Sequence, residues 1–177
     1  KYFNKADIIA IQEIENFDAF NNLIDYLNEK FPARKYKGFL KSRRQSPQDI
    51  GLIWDSAKVK SSRGYIFGGK WNIVGTRDDE KPERFARPPL YNFFEVNEHK
   101  FIVLNVHLKS KAGETGESGR RENEAAKLIE WIEMQKSEKN MENIILLGDF
   151  NDRYSFNLDA TDLDPLITAD KNNQLHF

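Results

Sequence analysis

Apolar and polar positions along the chain fall into runs with two periods. Asp7 to Ile11 is a compact apolar run leading into Gln12-Glu13-Ile14-Glu15, which predicts a buried strand whose end carries carboxylates. Phe17, Phe20, Ile24 and Leu27 then recur at three- and four-residue spacing, with Asn16 as an N-cap and Pro32 as a stop. That spacing predicts an amphipathic helix of about three to four turns. Ile50 to Trp54 predicts another short strand, Val59 to Phe67 a weaker one, and Gly68-Gly69 and the polar run Thr76 to Glu83 predict loops. Leu90 to Val96 and Phe101 to His107 flank Asn97-Glu98-His99-Lys100, a hairpin with a four-residue loop. In its second strand Phe101 and Val103 share a face with Asn105 and His107, while Ile102, Leu104 and Val106 take the other. Both faces are apolar until the end, so this strand is expected at the centre of a layered structure.

Lys109 to Gly119 holds Gly113, Gly116 and Gly119 and predicts a mobile loop beside that end. Arg120 to Gln135 predicts a second helix with Ala125, Leu128, Ile129 and Ile132 on one face. It leads to Asn143–Asp152, where a short, fully apolar strand meets a glycine turn and then Asp149 and Asn151, two residues apart. If the extended geometry persists, those two side chains project together. From Leu158 to Phe177 the pattern predicts no element.

The alternation of strands, a hairpin and helices implies an α/β protein with sheets covered by helices, not a purely parallel doubly wound sheet. At 177 residues and 39% hydrophobic, the chain can bury one sizeable core and is short for two, so residues 1–177 are expected to form a single domain. The formal net charge is −1, so anion recognition must be local. The absence of cysteine excludes disulfides, thiolate metal sites and a cysteine nucleophile, and fits a reducing or an oxidising compartment. No apolar run approaches the ~20 residues of a membrane helix and no signal-peptide pattern is visible. Localisation, whether cytoplasmic or secreted, stays open.

Candidate chemistry gathers where strands end: Glu13, Arg87 just before a strand, Asn105 with His107, and Asp149 with Asn151. Each has an ordinary reading. Gln12-Glu13 could be a loop, His107 a satisfied core histidine, Arg87 a surface ion pair, and Gly-Asp-Phe-Asn an Asx-type turn closing a strand. Pro88 and Pro89 restrict Arg87 to β or polyproline geometry, which suits presenting a guanidinium to phosphate. Arg34, Lys35, Lys37, Lys41, Arg43 and Arg44, interleaved with Tyr36 and Phe39, form a basic strip that reads either as a solvated sheet edge or as a surface for a phosphodiester backbone.

Together, Ile8-Ile9-Ala10-Ile11-Gln12-Glu13, Arg87-Pro88-Pro89-Leu90, Leu104-Asn105-Val106-His107-Leu108-Lys109 and Leu147-Gly148-Asp149-Phe150-Asn151 resemble successive motifs of the endonuclease/exonuclease/phosphatase superfamily, the deoxyribonuclease I-like fold. Arg-Pro-Pro-Leu and the Lys-Ser-Lys after the histidine are most similar to its bacterial nuclease-like members. The resemblance implies a four-layer α-β-β-α sandwich of two mainly antiparallel, mixed sheets flanked by helices. It implies Glu13 as the metal ligand, for Mg²⁺ with Mn²⁺ or Ca²⁺ as alternatives. It further implies Asp149 and Asn151 as the pair positioning the water and phosphate oxygens, His107 on the scissile phosphate with Asn105 as its companion, and Arg87 and Lys109 as phosphate-binding cations.

The family's opening strand with its asparagine, and its final Ser-Asp-His motif, are not found; His176 in Gln174-Leu175-His176-Phe177 follows no aspartate and is not assigned. The domain is therefore expected to be incomplete at both termini, with exposed sheet edges open to oligomerisation. Three functions remain: a metal-dependent phosphodiester hydrolase, foremost a nuclease of low sequence specificity acting on a nucleic-acid backbone; a phosphatase or lipid phosphodiesterase acting on inositol phosphates or sphingomyelin-type headgroups; and a truncated, inactive or purely binding domain.

Overall fold

The computed structural model describes residues 6–41, 48–62, 64–76, 81–110, 118–152 and 163–171. Arg43 and Arg44 of the basic strip, Gly113 and Gly116 of the glycine-bearing loop, and His176 lie outside them. The elements run β1 (Ile8–Ile14), α1 (Phe17–Lys30), β2 (Tyr36–Lys41), β3 (Asp49–Asp55), β4 (Lys60–Ser61), β5 (Tyr65–Ile66), β6 (Ile73–Thr76), β7 (Pro82–Arg84), β8 (Leu90–Val96), β9 (His99–His107), α2 (Ser118–Lys139), β10 (Ile144–Asp149) and α3 (Asp164–Lys171). They group into two compact units. The first holds residues up to Ile66, Pro89–His107 and Asn143–Gly148; the second holds Phe67–Pro88, Leu108–Glu142 and the residues from Asp149 onward.

In the first unit β3 is the centre of an antiparallel sheet of order β1-β3-β2. Its sequence Asp-Ile-Gly-Leu-Ile-Trp-Asp is apolar on both faces between two acids, and every residue is buried. One face packs Ile50, Leu52 and Trp54 against Leu90, Phe94 and Val103 of the second sheet, with the Trp54 and Phe94 rings edge to face at 5.7 Å. On the other face Ile53 meets Phe20 and Leu27 of α1 together with Tyr36 and Leu40. Burying either helix side chain contributes about 2 kcal/mol. Asn16 caps α1 as predicted: its side-chain oxygen accepts the Ala19 N–H at 2.8 Å. Helix, sheet and sheet are thus three successive layers of this unit.

The second sheet has the order β10-β9-β8-β4, with β5 also on β8. The β8–β9 hairpin closes with two residues, not the expected four. Val96 pairs with His99, and Asn97 and Glu98 have φ of 48° and 69°, the left-handed pair that matches strand twist in a two-residue turn. Ile102 donates to Asn143 and Leu108 to Asp149, steps that advance equally along both strands, so β9 and β10 are parallel and the sheet is mixed. The chain reaches β10 from β9 through α2, as parallel pairing requires. β9 is central as expected, buried from Ile102 to His107.

Two expected buried strands are different. β1 and β10 lie at the ends of their strand orders and are half-exposed, Ile145 at 49%. An apolar run shows that a strand can be buried but not which neighbours it receives.

In the second unit β6 and β7 pair across what composition read as loop, and Phe67 packs its ring against both Phe85 and Trp131 of α2. α2 runs 22 residues, longer than the predicted 120–135, and its buried face includes Arg121, Glu124, Trp131 and Gln135 besides Ala125, Leu128 and Ile132. α3 was not predicted; it contributes buried Leu166 and Ala169. No described helix is long and apolar enough to cross a membrane.

Candidate active site

The first unit carries Glu13, Asn105 and His107. Glu13 does not end its strand: pairing of β1 with β3 shifts register between Ile11 and Ile14, and Glu13 sits in that bulge with φ 57°. A left-handed glutamate costs on the order of 1 kcal/mol, and bulges re-aim side chains at sheet edges. The result is a carboxylate 61% exposed whose Oε1 lies 3.9 Å from Nε2 of His107, a side chain only 2% exposed. Gln48 also donates to that Oε1 at 3.3 Å.

Asn105 is fully buried between the sheets. Its Nδ2 donates to the carbonyls of Gly51 at 2.9 Å and Ile11 at 3.2 Å, and its Oδ1 accepts from Gln12 Nε2 at 2.7 Å. All three bonds go to the opposing sheet, so Asn105 holds β9 to β1 and β3 beside Glu13. Both of its amide protons are thus directed at main-chain carbonyls. Gln12, passed over in the sequence, is the matching half of this network.

Gly148 explains the glycine before the aspartate. Its φ is 136°, and a Cβ there would overlap the backbone of Val106 on the neighbouring strand.

The second unit carries Arg87, Lys109, Asp149 and Asn151. Extended geometry does not persist past Asp149: Asn151 turns to φ 52°, and Asp149 Oδ1 accepts the Asn151 N–H at 2.8 Å. This is the Asx-type turn, and it orients an exposed Asp149 carboxylate by local hydrogen bonding in place of strand alternation. Asn151 Nδ2 donates to the Leu108 carbonyl at 2.8 Å, and Arg87 Nη1 donates to the same oxygen at 3.2 Å. These two groups, expected on phosphate, therefore spend donors on the backbone that leaves β9. Lys109, half-buried, donates from Nζ to Ser110 at 3.4 Å.

Sequence reasoning missed Glu124 and Arg121. Glu124 accepts the N–H of Ala86 at 2.7 Å and of Lys109 at 2.8 Å, and burial raises its pKa by more than those bonds and the nearby Arg120 and Arg87 charges lower it. The signal was present as a charged pair on the apolar stripe of α2. Among the described residues no three His, Asp or Glu side chains gather into a metal cluster. Glu13 alone offers an exposed hard oxygen donor in the first unit's group, a set that suits Mg²⁺, which binds through one or two carboxylates and keeps several waters.

Within the basic strip, Arg34 Nη1 lies 2.6 Å from Asp7 and 3.4 Å from the buried Asp55, so this arginine is engaged in holding the fold.

The chain has the deoxyribonuclease I-like fold. It is similar to the human Nocturnin catalytic domain with bound sulfate, at 20% identity and TM-score 0.59 over 83% of this chain and 52% of that one. It is similar to D. rerio TDP2 complexed with a single-strand DNA product, at 19% identity and TM-score 0.51 over 84% and 49%. It is also similar to ANGEL2, a 2′,3′-cyclic phosphatase, at 18% identity and TM-score 0.56 over 82% and 39%. The chain thus spans between 39% and 52% of the length of these structures. No family model and no curated protein sequence matches it.

Proposed function

We propose that the protein is a metal-dependent phosphodiester hydrolase acting on nucleic acid with low sequence specificity. The observation that carries this is Glu13: a non-glycine residue held at φ 57° in a bulge, presenting an exposed carboxylate beside buried His107. Strain of this kind persists where the surrounding structure enforces it, and it clusters at functional sites. Glu13 would hold Mg²⁺, which when bound supplies Lewis-acid polarisation of a phosphate oxygen. His107 orients the scissile phosphate through a ring nitrogen. Asp149, aimed by its turn, accepts a proton from the attacking water, and Lys109 meets the negative charge that builds on the phosphate. Arg87 and Asn151 keep the Leu108 carbonyl fixed, and Asn105 ties β9 to β1 and β3. No protein nucleophile is needed.

The chain passes between the two units at several points, so neither is a continuous stretch, which supports their folding as one domain. The single-strand DNA product bound by a similar structure supports a nucleic-acid substrate. A cyclic phosphatase among the similar structures keeps phosphatase chemistry as the second reading. Incubating the protein with single-stranded oligonucleotides, plasmid, inositol phosphates and sphingomyelin, each with Mg²⁺ and then with EDTA, separates them. Metal-dependent cleavage of the nucleic acids is expected. Turnover confined to the phosphorylated small molecules or lipid would select the second reading, and turnover indifferent to EDTA would sink both.

A further inference from the structure

We propose that Glu124 and Arg121, three residues apart on α2, are positioning residues that fix the Lys109 peptide and thereby aim the Lys109 ammonium at substrate phosphate. The proposal rests on the phosphodiester reading above for its substrate and on the second unit alone for its geometry.

Every backbone polar atom of Leu108 and Lys109 has a fixed partner. The Leu108 N–H donates to the Asp149 carbonyl at 2.9 Å, and the Leu108 carbonyl accepts from Arg87 and Asn151. The Lys109 N–H donates to Glu124 Oε2 at 2.8 Å, and the Lys109 carbonyl accepts from Arg121 Nη1 at 2.5 Å. The other oxygen of Glu124 accepts the N–H of Ala86, the residue before Arg87. One carboxylate therefore ties together the two segments that bear the candidate cations. Asp152 faces Arg121 Nε at 3.8 Å, and Arg120 and Arg87 are the cations whose charges act on Glu124.

Both side chains are buried, and buried charges are costly to hold. Packing alone does not require them. The remaining face of α2, with Ala125, Leu128, Trp131 and Ile132, is apolar and already buried. Their hydrogen bonds go to the Lys109 backbone and to Ala86, the kind of support that fixes a binding group without touching the ligand. Three-residue spacing on a helix puts both side chains over the same spot, so they hold the backbone of Lys109 by its N–H and its C=O, one in each of the two peptide groups that flank its Cα.

The test is a double-mutant cycle on kcat/KM for single-stranded oligonucleotide cleavage with Mg²⁺, paired with amide hydrogen exchange. Lys109→Ala is expected to lower kcat/KM about tenfold, the loss of one charge-assisted contact. Glu124→Gln leaves an amide group facing a backbone donor and should lower it by a similar factor. The double variant should lose no more than either single variant. Losses that multiply, or a Glu124→Gln protein as active as wild type, overturn the proposal. The exposed neighbour Glu122→Gln serves as the control and should match wild type. Independently of turnover, the Ala86 and Lys109 amides of Glu124→Gln should exchange at least about tenfold faster while Leu52 stays protected; unchanged protection overturns the clamp. Wild-type protein that cleaves no phosphodiester refutes the functional reading instead, and exchange alone then decides the clamp. If Glu124→Gln does not fold, Arg121→Lys replaces it in the same cycle and is judged on kcat/KM alone, because Arg121 holds the Lys109 carbonyl and neither of the two amides; losses that multiply again overturn the proposal.

Discussion

In the first unit the candidate groups project from strands backed by an apolar core, and a bulge aims the one exposed acid. In the second unit a helix and a turn hold the backbone of a loop, and the polar side chains are largely consumed in holding it. The contrast separates two jobs that look alike in sequence. Glu13 and Asp149 keep exposed carboxylates, with His107 buried beside Glu13; Asn105, Arg87, Asn151, Glu124 and Arg121 spend hydrogen bonds on the main chain.

The largest expected difference follows from that separation. His107→Ala should lower the rate of phosphodiester cleavage about a thousandfold, as loss of a donor to developing charge does. Asn105→Ala should instead lower thermal stability, because it strands the Gly51 and Ile11 carbonyls inside the first unit. Steady-state rates and melting curves on the two variants check this. Equal stability losses with equal rate losses would erase the distinction.

Gly148→Ala comes next. It combines a φ of 136° with overlap on Val106, and should destabilise by about 3 kcal/mol in denaturant titration. Arg34→Ala should cost about 2 kcal/mol, less than a fully buried pair, since Asp55 keeps the N–H groups of Lys35 and Ala57. The same variant should leave oligonucleotide affinity intact. A large affinity loss would return Arg34 to the phosphate surface.

These cases also show what the sequence could and could not convey. Periodicity located α1 with its Asn16 cap, β3, β8, β9 and α2, because each alternates or repeats over enough residues to define a face. It could not show that β1 and β10 end their sheets, since an apolar strand reads the same with one neighbour or two. β6 and β7 were invisible: four and three residues in polar surroundings carry no period. Motif order picked out Glu13, His107 and Asp149 as candidates, but spacing cannot tell a donor aimed at phosphate from one aimed at a carbonyl. Arg87 and Asn151 needed coordinates. Glu124 and Arg121 interrupt an apolar stripe, a cue that buried charge is being used.

The smallest expected effect is in pH dependence, and its sign differs between the units. Asp7 has a lowered pKa: the burial that would raise it is outweighed by hydrogen bonds from Arg34 and Lys58. Its contribution is present above the ordinary aspartate value of 3.8 and is lost as pH falls below it. Glu124, raised by burial, works the other way. Its contribution is full below the ordinary glutamate value of 4.5 and is lost as pH rises through its higher folded value. Denaturation of Asp7→Asn and Glu124→Gln against wild type from acid to neutral pH should give difference curves of opposite slope. Slopes of one sign would contradict the assignments.

Glu13 is proposed above as the exposed hard-oxygen ligand of a phosphodiesterase centre. The most direct test is the cleavage rate of a single-stranded oligonucleotide as a function of Mg²⁺ concentration, for wild type and Glu13→Gln. Wild type should show a saturable Mg²⁺ requirement, and Glu13→Gln a requirement shifted to much higher Mg²⁺ with an unchanged melting temperature. Coincident Mg²⁺ curves for the two proteins would contradict it.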